Sequence, residues 1–377
     1  MRIAICTDQY LPLLSGLVDS VDTLARELRS EGHTVRIYTS DMPNSVPDKD
    51  VFRFPAKSFP GSDIMFSLPS PGAMRDIRNF NPDIVHTHLF GAAGFFAWYA
   101  ARRLGVPLVG TDHTLPADYL HYMHLNFPPF PYLVRKYAAW FYGRCDLVTT
   151  PSESLLKELR SHGMRRPMRI ISNHIATKVF RPPSDKTALK EKVGIPERAI
   201  LLFGRIAPEK NLETALSTFE EVARKIDAML VVVGGGPYKD EFEQSVRARR
   251  LEAKVMMLGV LRSEALAETI SACDALLITS TSETQSMTTL QAMSCEVPVV
   301  AVNAGGLPEY VRDGSNGFLA EPQDVNVLAA RLLQILHDPE LARRLGRAGR
   351  ESVLPFSSEH TAALFEQLYA DAIERIK

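Results

Sequence analysis

Short apolar runs of the kind that form buried strands alternate along this chain with stretches whose apolar positions recur at helical spacing. In the first half the strand-like runs are IAIC (3–6), TVRIYT (34–39), DIVHTH (83–88), PLVGTDH (107–113) and DLVTTP (146–151), with helical stretches at 19–31, 91–104 and 152–162. The rhythm restarts near residue 199 with AILLFG (199–204) and a helix capped by Asn211. AMLVVVGGGP (228–237), a helix from Lys239 to about Arg250, KVMMLG (254–259) and a helix near 263–272 follow. ALLITS (275–280), a short helix from Met287 and PVVAVN (298–303) complete the series. Such alternation predicts parallel sheets with helices on both faces, and ligands in such sheets bind beyond the C-terminal strand ends. The boundaries predicted are a first domain over 1–175, a linker rich in Pro and charge over 176–198, and a second domain over 199–356. A last helix over 357–377 follows Pro355, and no short solenoid repeat is present.

Composition agrees with two ordinary domains: 377 residues, 45% hydrophobic and 23% charged, describe a globular chain that is not disordered. A net charge of −1 gives no whole-chain argument for nucleic acid, so any charged partner must meet a local patch. Cys6, Cys145, Cys273 and Cys295 lie far apart without a C-x-x-C pair. That pattern indicates neither a zinc knuckle nor a disulfide framework, and it points to a reducing cytoplasm. The N-terminal MRIAICTD has no signal-peptide core, and the longest apolar run, GAAGFFAWYAA (91–101), is too short to cross a bilayer.

Candidate chemistry gathers in TSTSETQSMTTLQAMSCEVPVV (279–300), which reads as a strand end, a polar turn and a helix. Glu283 lies in the turn, and residues 284–288 place backbone N–H groups at the helix N-terminus, which suits a phosphate. Gln291 follows roughly 12 Å further along a helix, about the span from a hexose to a ribose across a diphosphate. Arg205 and Lys210, in FGRIAPEKN, sit just after a strand, where two fixed cations neutralise a nucleoside diphosphate leaving group. The competing reading is a pair of solvated surface charges, and their place beside GGGP (234–237) and the 279–300 stretch favours the ligand role. GGGP lacks G-x-G-x-x-G spacing and reads as a structural turn lining the cleft. Gly16, in the loop 9–20, lets the backbone approach a ligand closely. His86 and His88 share one strand face, and His121 and His124 share one helix face. No carboxylate or cysteine at ligand spacing accompanies them, so no metal site is expected.

These features together resemble the retaining glycosyltransferases of family four, which have the GT-B fold: α/β, two Rossmann-like doubly wound domains facing a central cleft. The resemblance covers nearly the whole chain, most specifically 203–211 and 279–319. It rests on the spacing of Glu283 and position 291, the R-x-x-x-x-K of Arg205 and Lys210, the TDHT around His113 and the SETQ at 282–285. It implies that Arg205 and Lys210 stabilise the departing diphosphate, that Glu283 holds sugar hydroxyls, and that His113 lies near the reacting carbon. Gly16, the main-chain N–H groups of Gln285, Ser286, Met287 and Thr288, and Gln291 at the ribose complete the implied donor site. The last helix is implied to pack back on the first domain. The implied reaction moves a hexose from a UDP- or GDP-linked sugar to a hydroxyl with retention, without an obligatory divalent metal.

Several positions depart from the family pattern: Gln291 replaces a glutamate, Ser286 a glycine, Cys295 and Glu296 a small-residue turn, and SNHIA (172–176) the common N-G-I-D. An amide accepts from one ribose hydroxyl and donates to the other where a carboxylate accepts from both, a change of about 1 kcal/mol. On the acceptor side, 111–146 interleaves aromatics with Arg135, Lys136 and Arg144, and 160–169 adds four arginines. Apolar groups beside cations suit peripheral docking on an anionic bilayer at the inner face of the plasma membrane. The alternative is a helix pair packed within its own domain. DYLHY (118–122) resembles diacylglycerol glycosyltransferases and favours a lipid acceptor. A soluble acceptor, or a non-catalytic binding or scaffolding subunit, remains open at this point.

Overall fold

The computed structural model describes residues 1–13, 15–58, 65–67, 70–113 and 127–375. Within them the chain forms two compact units, Met1–His174 with Ser358–Lys377 (unit 1) and Ile175–Ser357 (unit 2). Unit 1 runs β1 (Arg2–Thr7), α1 (Gly16–Ser30), β2 (Thr34–Ser40), β3 (Val51–Phe54), β4 (Ala56–Ser58), β5 (Met65–Ser67) and α2 (Pro71–Phe80). It continues through β6 (Ile84–Thr87), α3 (Ala92–Leu104), β7 (Leu108–Thr111), α4 (Phe130–Tyr142), β8 (Leu147–Thr150), α5 (Glu153–Ser161) and β9 (Met168–Ile170). Its sheet has the order β3-β2-β1-β6-β7-β8-β9, parallel throughout, with β4 and β5 a separate antiparallel pair. Strands β6, β7 and β8 are buried at every position, as a parallel sheet covered on both faces requires. Ser15, Ser70 and Ser152 start α1, α2 and α5 by accepting from Val18, Ala73 and Leu155 N–H groups.

Unit 2 runs α6 (Lys186–Val193), β10 (Ala199–Phe203), α7 (Leu212–Ala223), β11 (Met229–Val233), α8 (Lys239–Ala248), β12 (Val255–Gly259) and α9 (Ser263–Ala272). Then come β13 (Ala275–Ile278), α10 (Met287–Ser294), β14 (Val299–Val302), β15 (Phe318–Ala320), α11 (Val325–His337) and α12 (Pro339–Val353). The sheet order is β12-β11-β10-β13-β14-β15, again all parallel. In each sheet the order reverses beside the first strand, between β1 and β6 in unit 1 and between β10 and β13 in unit 2. Those reversals are where doubly wound sheets open a crevice at the strand ends.

The segment expected as a linker, 176–198, instead carries α6 and belongs to unit 2. Asp185 caps α6, Leu189 and Val193 pack on the unit 2 core, and Lys186 and Lys190 reach Asp274 at 3.1 and 2.6 Å. Its charges are thus partnered within a fold, which composition alone does not reveal. The chain ends in α13 (Ser358–Glu374), whose Ala362, Phe365, Leu368, Tyr369 and Ala372 join Val18, Val21, Leu24 and Leu28 of α1 in one unit 1 core.

Candidate active site

At the unit 2 reversal, Gly204 and Arg205 follow β10, and Thr279 and Ser280 follow β13. The loop after β10 is set by the GGGP turn after β11. Gly204 N–H donates to Val233 O, Ile206 N–H to Gly235 O, and Tyr238 N–H to Ile206 O. A Cβ on Gly234, whose φ is +138, would stand 1.8 Å from Gly204 O, so only glycine lets the two loops meet. GGGP is therefore a structural turn holding the Arg205 loop.

The same loop is tied to β13. Thr279 Oγ1 donates to Lys210 O at 2.8 Å, and the Asn211 side-chain amide donates to Thr279 O at 3.1 Å. Asn211 does not cap α7 with its side chain, contrary to the sequence expectation; it takes a left-handed backbone and spends its amide on this cross-tie. Lys210 consequently points at Glu283, with Nζ 2.5 Å from Oε1 and the two side chains 28% and 12% exposed. Arg205, Lys210, Glu283 and Thr288 line one hollow, whose apolar wall includes Leu202, Val232 and Leu277.

The turn carrying Glu283 leads into α10. Ser286, not Glu283, is its N-cap: Oγ accepts from Thr289 N–H at 3.4 Å and lies 2.9 Å from Thr288 Oγ1. Met287 and Thr288 then stand at the open end of the helix, whose first-turn N–H groups have no intrahelical acceptor. The Gln285 side chain is bonded to Tyr310. Gln291 lies one turn on, buried, outside the lining of the hollow. Behind the turn, Gly306 N–H donates to Glu283 O at 2.6 Å, and a Cβ on Gly306 would stand 2.1 Å from Thr284 O. This support was missed in the sequence, although a Gly-Gly pair shortly after the strand PVVAVN was a visible signal of close backbone approach.

The other candidates lie in unit 1. Gly16 is the exposed first residue of α1. His113 follows β7, is 6% exposed, and has Nε2 2.8 Å from His88 Nδ1. Burial pushes His113 down to about 4, with Asn173 opposing the shift, and His174 to about 4, so both rings are neutral near pH 7. His86 is driven to about 3, by burial first and then by His113. At the reversal in unit 1, Asp8 Oδ1 accepts from Ala93 N–H at 2.9 Å and so holds the start of α3. Among the described residues no group of three or more His, Cys, Asp or Glu is placed to hold a metal ion. His121, His124 and DYLHY lie outside the described residues.

Helix α4 divides its side chains sharply. Ala138, Ala139, Phe141 and Tyr142 are buried, while Tyr132, Leu133, Tyr137 and Trp140 are exposed. Cations cover the exposed rings: Arg144 stands 3.3 Å over Trp140, Lys136 5.5 Å over Tyr132, and Arg103 5.2 Å over Tyr99 of α3.

Two family models match the chain. Glycosyltransferase Family 4 covers residues 14–179 and Glycosyl transferases group 1 covers residues 185–352. Among curated relatives, an alpha-monoglucosyldiacylglycerol synthase of Streptococcus pneumoniae is 29% identical, aligning 99% of this chain with 86% of its own length. A GDP-mannose-dependent alpha-mannosyltransferase of Mycolicibacterium smegmatis is also 29% identical, over 94% of this chain and 93% of its own. In fold, sucrose-phosphate synthase from Thermosynechococcus elongatus superposes with a TM-score of 0.81 at 22% identity, covering 99% of both chains. That likeness matches the two parallel-sheet, Rossmann-like units of the GT-B architecture. One glycosyltransferase model for each unit, and relatives of the same kind along the full length, mean that this chain belongs to the family four glycosyltransferases and is a hexosyltransferase.

Proposed function

We propose that the chain moves a hexose from a UDP- or GDP-linked sugar to a hydroxyl of a membrane lipid, with retention at the anomeric carbon. The observation that carries this reading is the convergence of Arg205, Lys210, Glu283 and the first turn of α10 on one hollow. Arg205, Lys210 and the helix end take up charge as the bond from anomeric carbon to diphosphate oxygen breaks. Glu283 exchanges Lys210 for sugar hydroxyls, and the N–H groups of Gln285, Ser286, Met287 and Thr288 hold donor oxygens. Gln291 serves the ribose, Gly16 gives close backbone approach, and His113 attends the reacting end of the hexose. Because protein groups supply the charge, no cofactor beyond the sugar nucleotide is required, and turnover is expected to survive EDTA.

Diacylglycerol in one relative's name and GDP-mannose in another's support the lipid acceptor and the nucleotide-sugar donor. Exposed aromatics under cations on α4 suit docking on an anionic leaflet and support a peripheral location at the cytoplasmic face of the plasma membrane. No described helix is long and apolar enough to cross a membrane.

The test incubates the protein with UDP, GDP and ADP sugars and either phosphatidylglycerol vesicles containing diacylglycerol or soluble alcohols. Nucleotide release and the anomer of the product are measured. Lipid product with the donor's anomeric configuration is expected, lost when Arg205→Glu and Lys210→Glu are combined. Turnover that survives this double charge reversal overturns the site assignment, and product formed only on soluble alcohols overturns the lipid acceptor.

A further inference from the structure

Three imidazoles stand in file inside unit 1. His86 is fixed at both ring nitrogens, with Nδ1 2.7 Å from the Tyr369 hydroxyl of α13 and Nε2 2.7 Å from Thr111 Oγ1. Thr111 Oγ1 is in turn 2.6 Å from Thr149 Oγ1. The His88 ring lies 4.1 Å from the His86 ring, centre to centre, and 5.1 Å from the His113 ring at an interplanar angle of 17°. His88 Nδ1 is 2.8 Å from His113 Nε2, and with His88 1% exposed, solvent does not compete for that bond.

Two neutral imidazoles at this distance share one proton, so one nitrogen donates and the other accepts. The Asn173 side chain also hydrogen-bonds the His113 side chain. The Ser20 hydroxyl donates to Asn173 Oδ1 at 3.1 Å, fixing the amide. When His88 Nδ1–H is the donor, His113 Nε2 accepts and His113 carries its own proton on Nδ1.

We propose that His88 is a positioning residue for His113, fixing the plane of its ring and its Nδ1–H tautomer, with His86 and Tyr369 as the wall that keeps His88 in place. The kinetic consequence rests on the hexose-transfer reading; the ring geometry stands without it. A His113 whose Nε2 is engaged by His88 works through its position, not as a proton shuttle through that nitrogen. Its orientation is then set by a residue that follows β6, whereas His113 itself follows β7.

The test uses full-length protein labelled with ¹⁵N-histidine and compares wild type with His88→Asn and His88→Phe. Asn places an amide donor where Nδ1 stands, whereas Phe keeps a ring against His86 and loses the donor. Long-range ¹H–¹⁵N spectra are expected to show His113 as a single Nδ1–H tautomer in wild type and His88→Asn, and as a mixture in His88→Phe. In turnover, His88→Phe is expected to lose about tenfold in kcat with KM for the nucleotide sugar nearly unchanged, the scale of one hydrogen bond, and His88→Asn to recover most of it. An unchanged tautomer in His88→Phe overturns the proposal, as does a loss of kcat that follows thermal stability in both variants alike. Should wild type turn over no nucleotide sugar, the hexose reading fails while the spectra still decide what His88 does.

Discussion

Lys210 and Glu283 are each other's partners in the hollow, yet the proposed reaction asks each to serve a different part of the donor. A diphosphate entering the site competes with Glu283 for Lys210, and sugar hydroxyls then replace Lys210 at Glu283. Glu283→Gln separates the two duties, because it removes the competitor for Lys210 and weakens the hold on the hexose. UDP or GDP binding measured by calorimetry is expected to be equal or tighter in this variant, while kcat falls about 10- to 100-fold, the scale of one or two charge-assisted bonds. Weaker nucleotide binding would show that the carboxylate acts on the phosphate side. The buried histidines set a pH dependence of stability. His86, His113 and His174 sit at about 3, 4 and 4 against an ordinary 6.5, so a proton taken up by any of them favours the unfolded chain. The stability they give is complete above pH 6.5 and drains away as pH falls towards 4. All three belong to unit 1, and unit 2 contains only His337. Calorimetry is therefore expected to show the unit 1 transition falling more steeply than that of unit 2 between those pH values. Parallel falls would remove the histidines as the cause.

At the scale of elements, the Glu283 turn depends on a loop from the neighbouring strand. Gly306→Ala puts a methyl group 2.1 Å from Thr284 O, so the turn must move before the loop can close. The expected outcome is a loss of turnover of at least about tenfold with the fold of unit 2 retained, because a displacement of a few tenths of an ångström to 1 Å at a positioned group already costs this much. Wild-type kinetics in this variant, with circular dichroism unchanged, would show that the loop does not set the turn. The sequence displayed the strands and most helices because each carries its own periodicity: β10, β11, β13 and β14 are apolar runs bounded by turn residues. It displayed Arg205, Lys210 and Glu283 because strand ends are readable positions. Whatever depends on distant partners stayed hidden. The amide of Asn211 is claimed by Thr279, a residue far along the chain, and α6 counts as a helix because Asp274 and the unit 2 core receive it. The His88–His113 bond likewise exists only once β6 and β7 lie side by side.

At the scale of the molecule, the two units differ in how the chain supplies them. The unit 2 core is drawn entirely from residues between Ile175 and Val353, an unbroken span. Unit 1 needs both ends of the chain, because Phe365, Leu368 and Tyr369 of α13 complete the core beneath α1, and Tyr369 also holds His86. Removing residues 358–377 exposes the face of α1 that includes Leu24 and Leu28 and strips these three large side chains from the core. At about 2 kcal/mol each, plus the unpaired His86 nitrogen, the loss approaches the whole stability of an ordinary domain. A chain ending at Ser357 is therefore expected to lose the unit 1 transition in calorimetry and to yield to protease throughout residues 1–174. The unit 2 transition is expected to remain, and to rise in temperature with added UDP or GDP, since every cation and helix end assigned to the diphosphate lies between Arg205 and Thr288. Hexose transfer should vanish with unit 1 while nucleotide binding persists. If both units melted together in the truncated chain, the self-sufficiency of the unit 2 core would be refuted; if unit 1 survived intact, α13 would be a surface appendage and the Tyr369–His86 bond dispensable.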